Sequence, residues 1–217
     1  MKKPPFLLAM SVTSLALLSA CGPEDELSQG MADETSSTPV DPEGDSIGTS
    51  QSELHVSGTT FALATHGMEG GNPSVLRCPP SYVAVGLSGR AAGTINHLAL
   101  ICAYMDPNGN LSAQYITTGA VGSGGGQSFF LMCLANQAVV GFRGSAGSYV
   151  DRVGLYCSTI ASWQVSTAVQ YVSPEAGGAG GNSFSELAPQ AFVVTSLKVR
   201  ASGVIDQFQG IASYISP

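Results

Sequence analysis

Charge is scarce beyond residue 53 of this 217-residue chain, where six acids face six bases and the sum is zero. A domain so poor in Lys and Arg is expected to have no basic patch to support a nucleic-acid partner. Two further absences bear on chemistry. No C-x-x-C and no His pair accompanies the cysteines, so a metal-ligand set is lacking. The three histidines, His55, His66 and His97, and the acids form no Ser-His-Asp grouping, and there is no phosphate loop. Neither an enzyme nor a cofactor is therefore expected. A sustained helical period is also missing after residue 54, and Trp163 is the single tryptophan.

Residues 22–53 lack something else: they contain nine acids but no Lys, Arg or aromatic residue. Such a segment buries too little apolar surface to offset its ordering entropy, and the expectation is an extended, self-repelling tether over 21–52. The acidic character of the chain, −7 overall, belongs to this segment and says nothing about the partners of residues 54–217. Ahead of the tether, Lys2 and Lys3, the apolar run Phe6 to Leu18 and the small residues before Cys21 form a secretory signal over 1–20. The Leu18-Ser19-Ala20-Cys21 ending resembles a bacterial lipobox, which implies lipidation at Cys21 and attachment to a membrane. Gly22 rather than Asp after that cysteine implies, by the same resemblance to bacterial lipoproteins, an outer membrane or cell-surface location in the cell envelope.

The remainder of the chain is rich in repetition at a step of 55. Cys78 matches Cys133, Cys102 matches Cys157, and the next step lands on Ala188 and Ala212. Gly70-Gly71, Gly125-Gly126 and Gly180-Gly181 recur at the same interval, as do Asn96, Asp151 and Asp206. Residues 53–217 thus divide without gaps into repeats 53–107, 108–162 and 163–217. Cysteines present as pairs in two repeats and absent as a pair in the third point to disulfides Cys78–Cys102 and Cys133–Cys157 in an oxidising, exported compartment.

Within a repeat the pattern is that of strands. Val153, Leu155 and Cys157 alternate with Arg152, Gly154 and Tyr156, and Leu98, Leu100 and Cys102 do the same one repeat earlier. Short apolar runs at 83–87, 139–142 and 192–197 are bounded by Gly or Pro. The class is all-β, with about four strands per repeat closing around one core.

The residues also resemble a family. Residues 122–157, with V-G-F-R-G-S-A-G-S-Y-V-D at their centre, are similar to the last module of jacalin-type plant lectins. Residues 177–214, opening G-G-A-G-G-N-S-F, are similar to that family's first module, so the order is permuted. The vitelline membrane outer layer protein shares the internal repeats. The resemblance implies a β-prism of three four-stranded sheets, with a β-trefoil as the alternative, although its Q-x-W signature is missing. Phe184-Ser185-Glu186-Leu187 departs from the F-D-D-G of the plant proteins, at what the resemblance makes a strand turn.

The resemblance further implies a sugar site at a G-x-x-x-D turn facing a glycine-rich loop. Here these are Gly147, Ser148, Tyr149, Val150 and Asp151, facing Gly177, Gly178, Gly180 and Gly181. Asp151 would accept hydrogen bonds from two sugar hydroxyls, and Tyr149 would present its ring to a sugar C–H face. A secondary site would use Gly203 and Asp206 with Gly70 and Gly71; repeat one has Asn96 in place of the acid. The expected partner is a glycan or polysaccharide, of mannose or glucose type, because the galactose-binding members depend on a processed chain end of which this sequence shows no sign. The competing reading is a structural or protein-interaction domain of the cell envelope that binds no sugar.

Overall fold

Gly-punctuated runs of Val, Leu and Ile with alternating burial become strands when one face can be covered. The computed structural model describes residues 52–217; the signal, Cys21 and the acidic segment up to residue 51 lie outside the described residues. Fourteen strands and one short helix succeed one another along the described chain. They are β1 (His55–Gly67), β2 (Asn72–Arg77), β3 (Tyr82–Ala91), β4 (Ile95–Met105), β5 (Leu111–Thr117), β6 (Val121–Gly122), β7 (Gln127–Met132), β8 (Ala138–Ala146) and β9 (Val150–Ser158). After the helix α1 (Ile160–Val165) come β10 (Tyr171–Val172), β11 (Ala176–Gly177), β12 (Asn182–Leu187), β13 (Phe192–Ala201) and β14 (Ile205–Ser216).

The strands form three antiparallel sheets, each occupying four strand positions. Sheet 1 runs β5-β4-β3-β7, sheet 2 runs β10-β9-β8-β12, and sheet 3 runs β1-β14-β13-β2. In sheets 1 and 2 the outermost position is split, β6 continuing β5 along β4 and β11 continuing β10 along β9. A hydroxyl fills each gap: Leu100 N–H donates to Thr118 Oγ1 at 3.0 Å and Leu155 N–H to Ser173 Oγ at 2.9 Å. The sheets do not coincide with the sequence repeats. Each takes its inner hairpin from one repeat and its outer strands from the next, so that sheet 3 pairs the first strand, β1, with the last, β14. All-β architecture with three such sheets agrees with the expected prism and sets the trefoil aside.

Equivalent residues of the three repeats meet in a common core. Leu87, Phe142 and Leu197 are all buried, as are Leu98, Val153 and Phe208. The two expected disulfides form, and both run between sheets: Cys78, just after β2, reaches Cys102 on β4, and Cys133, just after β7, reaches Cys157 on β9. At the end away from the hairpin turns, Val83, Ala138 and Val193 close a second cluster over Trp163. Trp163 lies on α1, an element the sequence pattern did not suggest. One buried face over six residues is too short to show a period. The helix is started by Thr159, whose hydroxyl accepts from Ser162 N–H, and is held by the Trp163 indole N–H donating to Pro189 O at 3.0 Å. Residues 184–187, expected at a turn, instead lie within β12.

Candidate functional site

A hairpin connecting two strands of one sheet leaves its turn at the end of the prism, and three such turns gather there. Residues 92–94, 147–149 and 202–204 have the same form: Ala92, Gly147 and Ser202 donate their N–H to Thr94, Tyr149 and Val204 carbonyls at 2.9, 2.9 and 3.1 Å. The second residue after each turn, Asn96, Asp151 or Asp206, sits where the next repeat's glycine-rich loop crosses. Ser123, Gly178 and Met68 donate N–H to the main-chain carbonyls of Asn96, Asp151 and Asp206 at 2.8, 2.9 and 3.2 Å.

In repeat two the 147–151 turn and the 177–181 loop lie against each other. A Cβ on Gly180 would stand 2.5 Å from Asp151 Oδ1, and one on Gly181 would collide with both Ala146 and Asp151 Oδ2. Gly181 also adopts φ +72°, the left-handed region that L side chains rarely enter. Gly177 lies against the Asp151 carbonyl, and Gly178 against Gly93 of the neighbouring turn. Tyr149 is exposed, whereas the Val150 side chain is buried in the core, leaving only its backbone to face the loop. The N–H groups of Ser148 and Tyr149 donate to no backbone group among the described residues.

The three sites differ in how their acid or amide is occupied. Ser202 Oγ donates to Asp206 Oδ2 at 3.0 Å, and Asp206 is buried at 6% exposure with Gly70 and Gly71 against its carboxylate. Thr94 Oγ1 donates to Asn96 Oδ1 at 3.1 Å. Asp151 is half-buried, and its carboxylate has no side-chain or backbone donor among the described residues. The other acids that have partners are engaged elsewhere. Glu175 binds Arg143 at 2.8 Å and Arg152 at 3.2 Å, Glu186 takes the Ala64 N–H at 2.7 Å, and Asp106 closes its own turn. The Asn110 N–H donating to Asp106, then Asn110 Nδ2 and the N–H groups of Asn108 and Gly109, hold that carboxyl below its usual range.

The sequence reading missed a set of arginines that position the loops. Arg90 donates to Gly126 O at 2.9 Å, and Arg200 donates to Gly70 O at 2.8 Å and Gly71 O at 3.1 Å. In repeat two this position is Ser145, and its cross-strand neighbour Arg152 does the work, donating to Gly178 O at 2.8 Å. The signal is present in the sequence once the register is known. Each pair 90/97, 145/152 and 200/207 holds one arginine, but on alternating strands.

No family model matches the chain. Solved structures are similar to it in fold. A Malaysian banana lectin matches at 15% identity over 72% of this chain and 99% of that chain, with a TM-score of 0.52. A mannose-binding jacalin-related lectin from Ananas comosus matches at 14% identity over 71% and 98%, with a TM-score of 0.53. A single-chain recombinant jacalin matches at 12% identity over 71% and 95%, with a TM-score of 0.52. At these identities the likeness establishes the β-prism fold and assigns no residue a role.

Proposed function

We propose that this chain is a non-catalytic glycan-binding module whose main site is the 147–151 turn with the facing loop 177–181. The observation that carries the reading is the Asp151 carboxylate, without a donor among the described residues and set against glycines that carry no side chain. A carboxylate accepting from two adjacent sugar hydroxyls makes charge-assisted bonds, the exposed Tyr149 ring can lie against a sugar C–H face, and the N–H groups of Ser148 and Tyr149 can donate to sugar oxygens. The fold's lectin neighbours, one of them described as mannose-binding, support a mannose- or glucose-type ligand. Sites at Asp206 and Asn96 are secondary, since their side chains already hold partners. With Cys21 lipidated, the module stands at the outer membrane or cell surface of the envelope, where many tethered copies engage one polymer and raise the effective affinity of a shallow site.

A glycan array on the full chain tests this. The parent is expected to bind. Asp151→Ala should weaken that binding about 10- to 100-fold, the loss of charged hydrogen bonds worth about 1.5–3 kcal/mol. Gly180→Ala, which drives a methyl group into the carboxylate, should behave alike with the fold intact. Equal binding by parent and Asp151→Ala would remove the site from repeat two. The tied carboxylate of Asp206 and the amide at Asn96 favour the second reading, a protein-interaction domain of the envelope, and a folded parent that binds no glycan even when displayed multivalently would select it.

A further inference from the structure

The outer faces of the three sheets occupy equivalent places but carry different chemistry. Sheet 2 exposes Arg143 and Arg152, both paired to Glu175. Sheet 1 exposes an aromatic pair, Tyr115 and Phe130, with ring centroids 5.9 Å apart. Sheet 3 collects half of the bases beyond residue 53, namely Arg77, Lys198 and Arg200, and none of them pairs with an acid among the described residues.

Their placement follows from strand register. Leu197 and Val199 point into the core, so Ser196, Lys198 and Arg200 share the outer face of β13, and Arg77 on β2 lies directly beside Ser196. Successive rows along the sheet therefore present Arg77, Lys198 and Arg200, spaced about 7 Å apart. Two hollows, of about 490 and 370 Å³, share Val75 and Lys198 and together form a continuous track. The first is lined by the exposed Thr60 and by the buried Ser196 and Ser213, the last with its hydroxyl bonded to that of Thr195 at 2.7 Å; the second ends at Arg200 and Gln207. No lining residue is acidic. At its far end the Arg200 guanidinium already holds the carbonyls of Gly70 and Gly71, which places the track next to the turn of Asp206.

We propose that the outer face of sheet 3 is a binding track for an anionic polysaccharide, a chain bearing carboxylate or sulfate groups whose charges meet Arg77, Lys198 and Arg200 while a sugar hydroxyl meets that of the exposed Thr60. The choice of a glycan over another polyanion rests on the reading of the chain as a glycan-binding module; the charge complementarity does not. Repeated cations at the pitch of a β-strand suit a polymer with a charge on successive or alternate sugars. Attraction of this kind is screened by salt over a Debye length of about 10 Å at 0.1 M.

The test measures equilibrium binding of the full chain to dextran sulfate and to polygalacturonate, with unmodified dextran as neutral control. The proteins compared are the parent, the double variant Arg77→Gln/Lys198→Gln and Asp151→Ala. Both substituted cations are exposed and hold no hydrogen bond or ion pair among the described residues, so circular dichroism should be unchanged. Both polyanions are expected to bind the parent on the order of tenfold more tightly than the double variant, and the preference should fade between about 0.05 and about 0.5 M salt. Asp151→Ala should keep its polyanion binding, and the double variant should keep whatever neutral-glycan binding the parent shows on the array. Polyanion binding equal in parent and double variant would overturn the track even if the Asp151 site proves sound. Polyanionic sugars bound by a chain that ignores all neutral glycans would uphold the track while the Asp151 reading fails. Binding of single-stranded oligothymidylate as tight as that of dextran sulfate would overturn the assignment to a polysaccharide.

Discussion

Residues that break the threefold pattern in the core do so in compensating pairs. At one repeated position stand Leu87, Phe142 and Leu197; at another stand Leu100, Leu155 and Gly210. The bulkier Phe142 and the missing side chain at 210 answer each other, because a Cβ on Gly210 would lie 2.7 Å from the Phe142 ring. The ring also meets Phe208 edge-on, with centroids 4.7 Å apart. Gly210→Ala should therefore destabilise the fold by about 1–3 kcal/mol through overpacking, and Phe142→Leu added to it should recover part of the loss. Urea unfolding of the two variants decides the matter. In the sequence, Gly210 is visible only as an exception to a repeated leucine; that Phe142 is its cause depends on two strands of different sheets meeting.

At the scale of the element, the joins between sheets are not equivalent. Where sheet 3 meets sheet 1, Leu76 and Val121 border the join and Cys78–Cys102 crosses it. Where sheet 1 meets sheet 2, Leu131 and Ala176 border it and Cys133–Cys157 crosses it. At the third join the leucine is Glu186 and its counterpart is His66, with Glu186 Oε1 3.2 Å from His66 Nε2 and the imidazole stacked 3.7 Å from Phe184. The contact is close but poorly aligned as a hydrogen bond, and both atoms are buried without another hydrogen-bond partner among the described residues. No disulfide crosses here, since the two positions are Ala188 and Ala212, both buried. Val139 pairs with Cys157 on sheet 2 as Val194 pairs with Ala212 on sheet 3, so the backbone already repeats the register of the bridged joins. Ala188→Cys/Ala212→Cys should close a third bridge and stabilise the domain by about 3 kcal/mol, an advantage that a reductant removes. A thiol assay and urea midpoints with and without reductant measure both halves of that expectation.

The whole domain is a ring closed by its own ends. Because β1 completes sheet 3 by pairing along β14, that sheet, and with it the ring of three, is not finished until the first and last strands meet. Long-range contacts of this kind oppose independent folding of a single repeat, whose outer strands lie in another repeat's sheet. Residues 52–217 should unfold in one cooperative transition, with Trp163 fluorescence and far-ultraviolet circular dichroism coinciding. Deleting residues 55–67 should abolish that transition, since it strips Leu63 from the core and leaves β14 as an open edge. Three separate transitions would show that the repeats fold alone.

The interval of 55 by itself determined the threefold plan and the cysteine pairing, whereas the facing of Asp151 by the next glycine-rich loop came from the resemblance to the plant lectins. A repeat at constant offset copies backbone environments, and matched positions then carry the same constraint. The strand class followed from alternation, because period-two burial has only one regular backbone to match. What only the tertiary structure decided lies between repeats. The exchange of outer strands, the arginine that switches from position 200 to 152 to hold a glycine loop, the conversion of one leucine join into His66 and Glu186, and the gathering of Arg77, Lys198 and Arg200 on one face all need residues far apart in the chain to become neighbours. Helix α1 escaped for the same reason: a single buried tryptophan covering the base of the core has no period to read, only a partner at Pro189 to find.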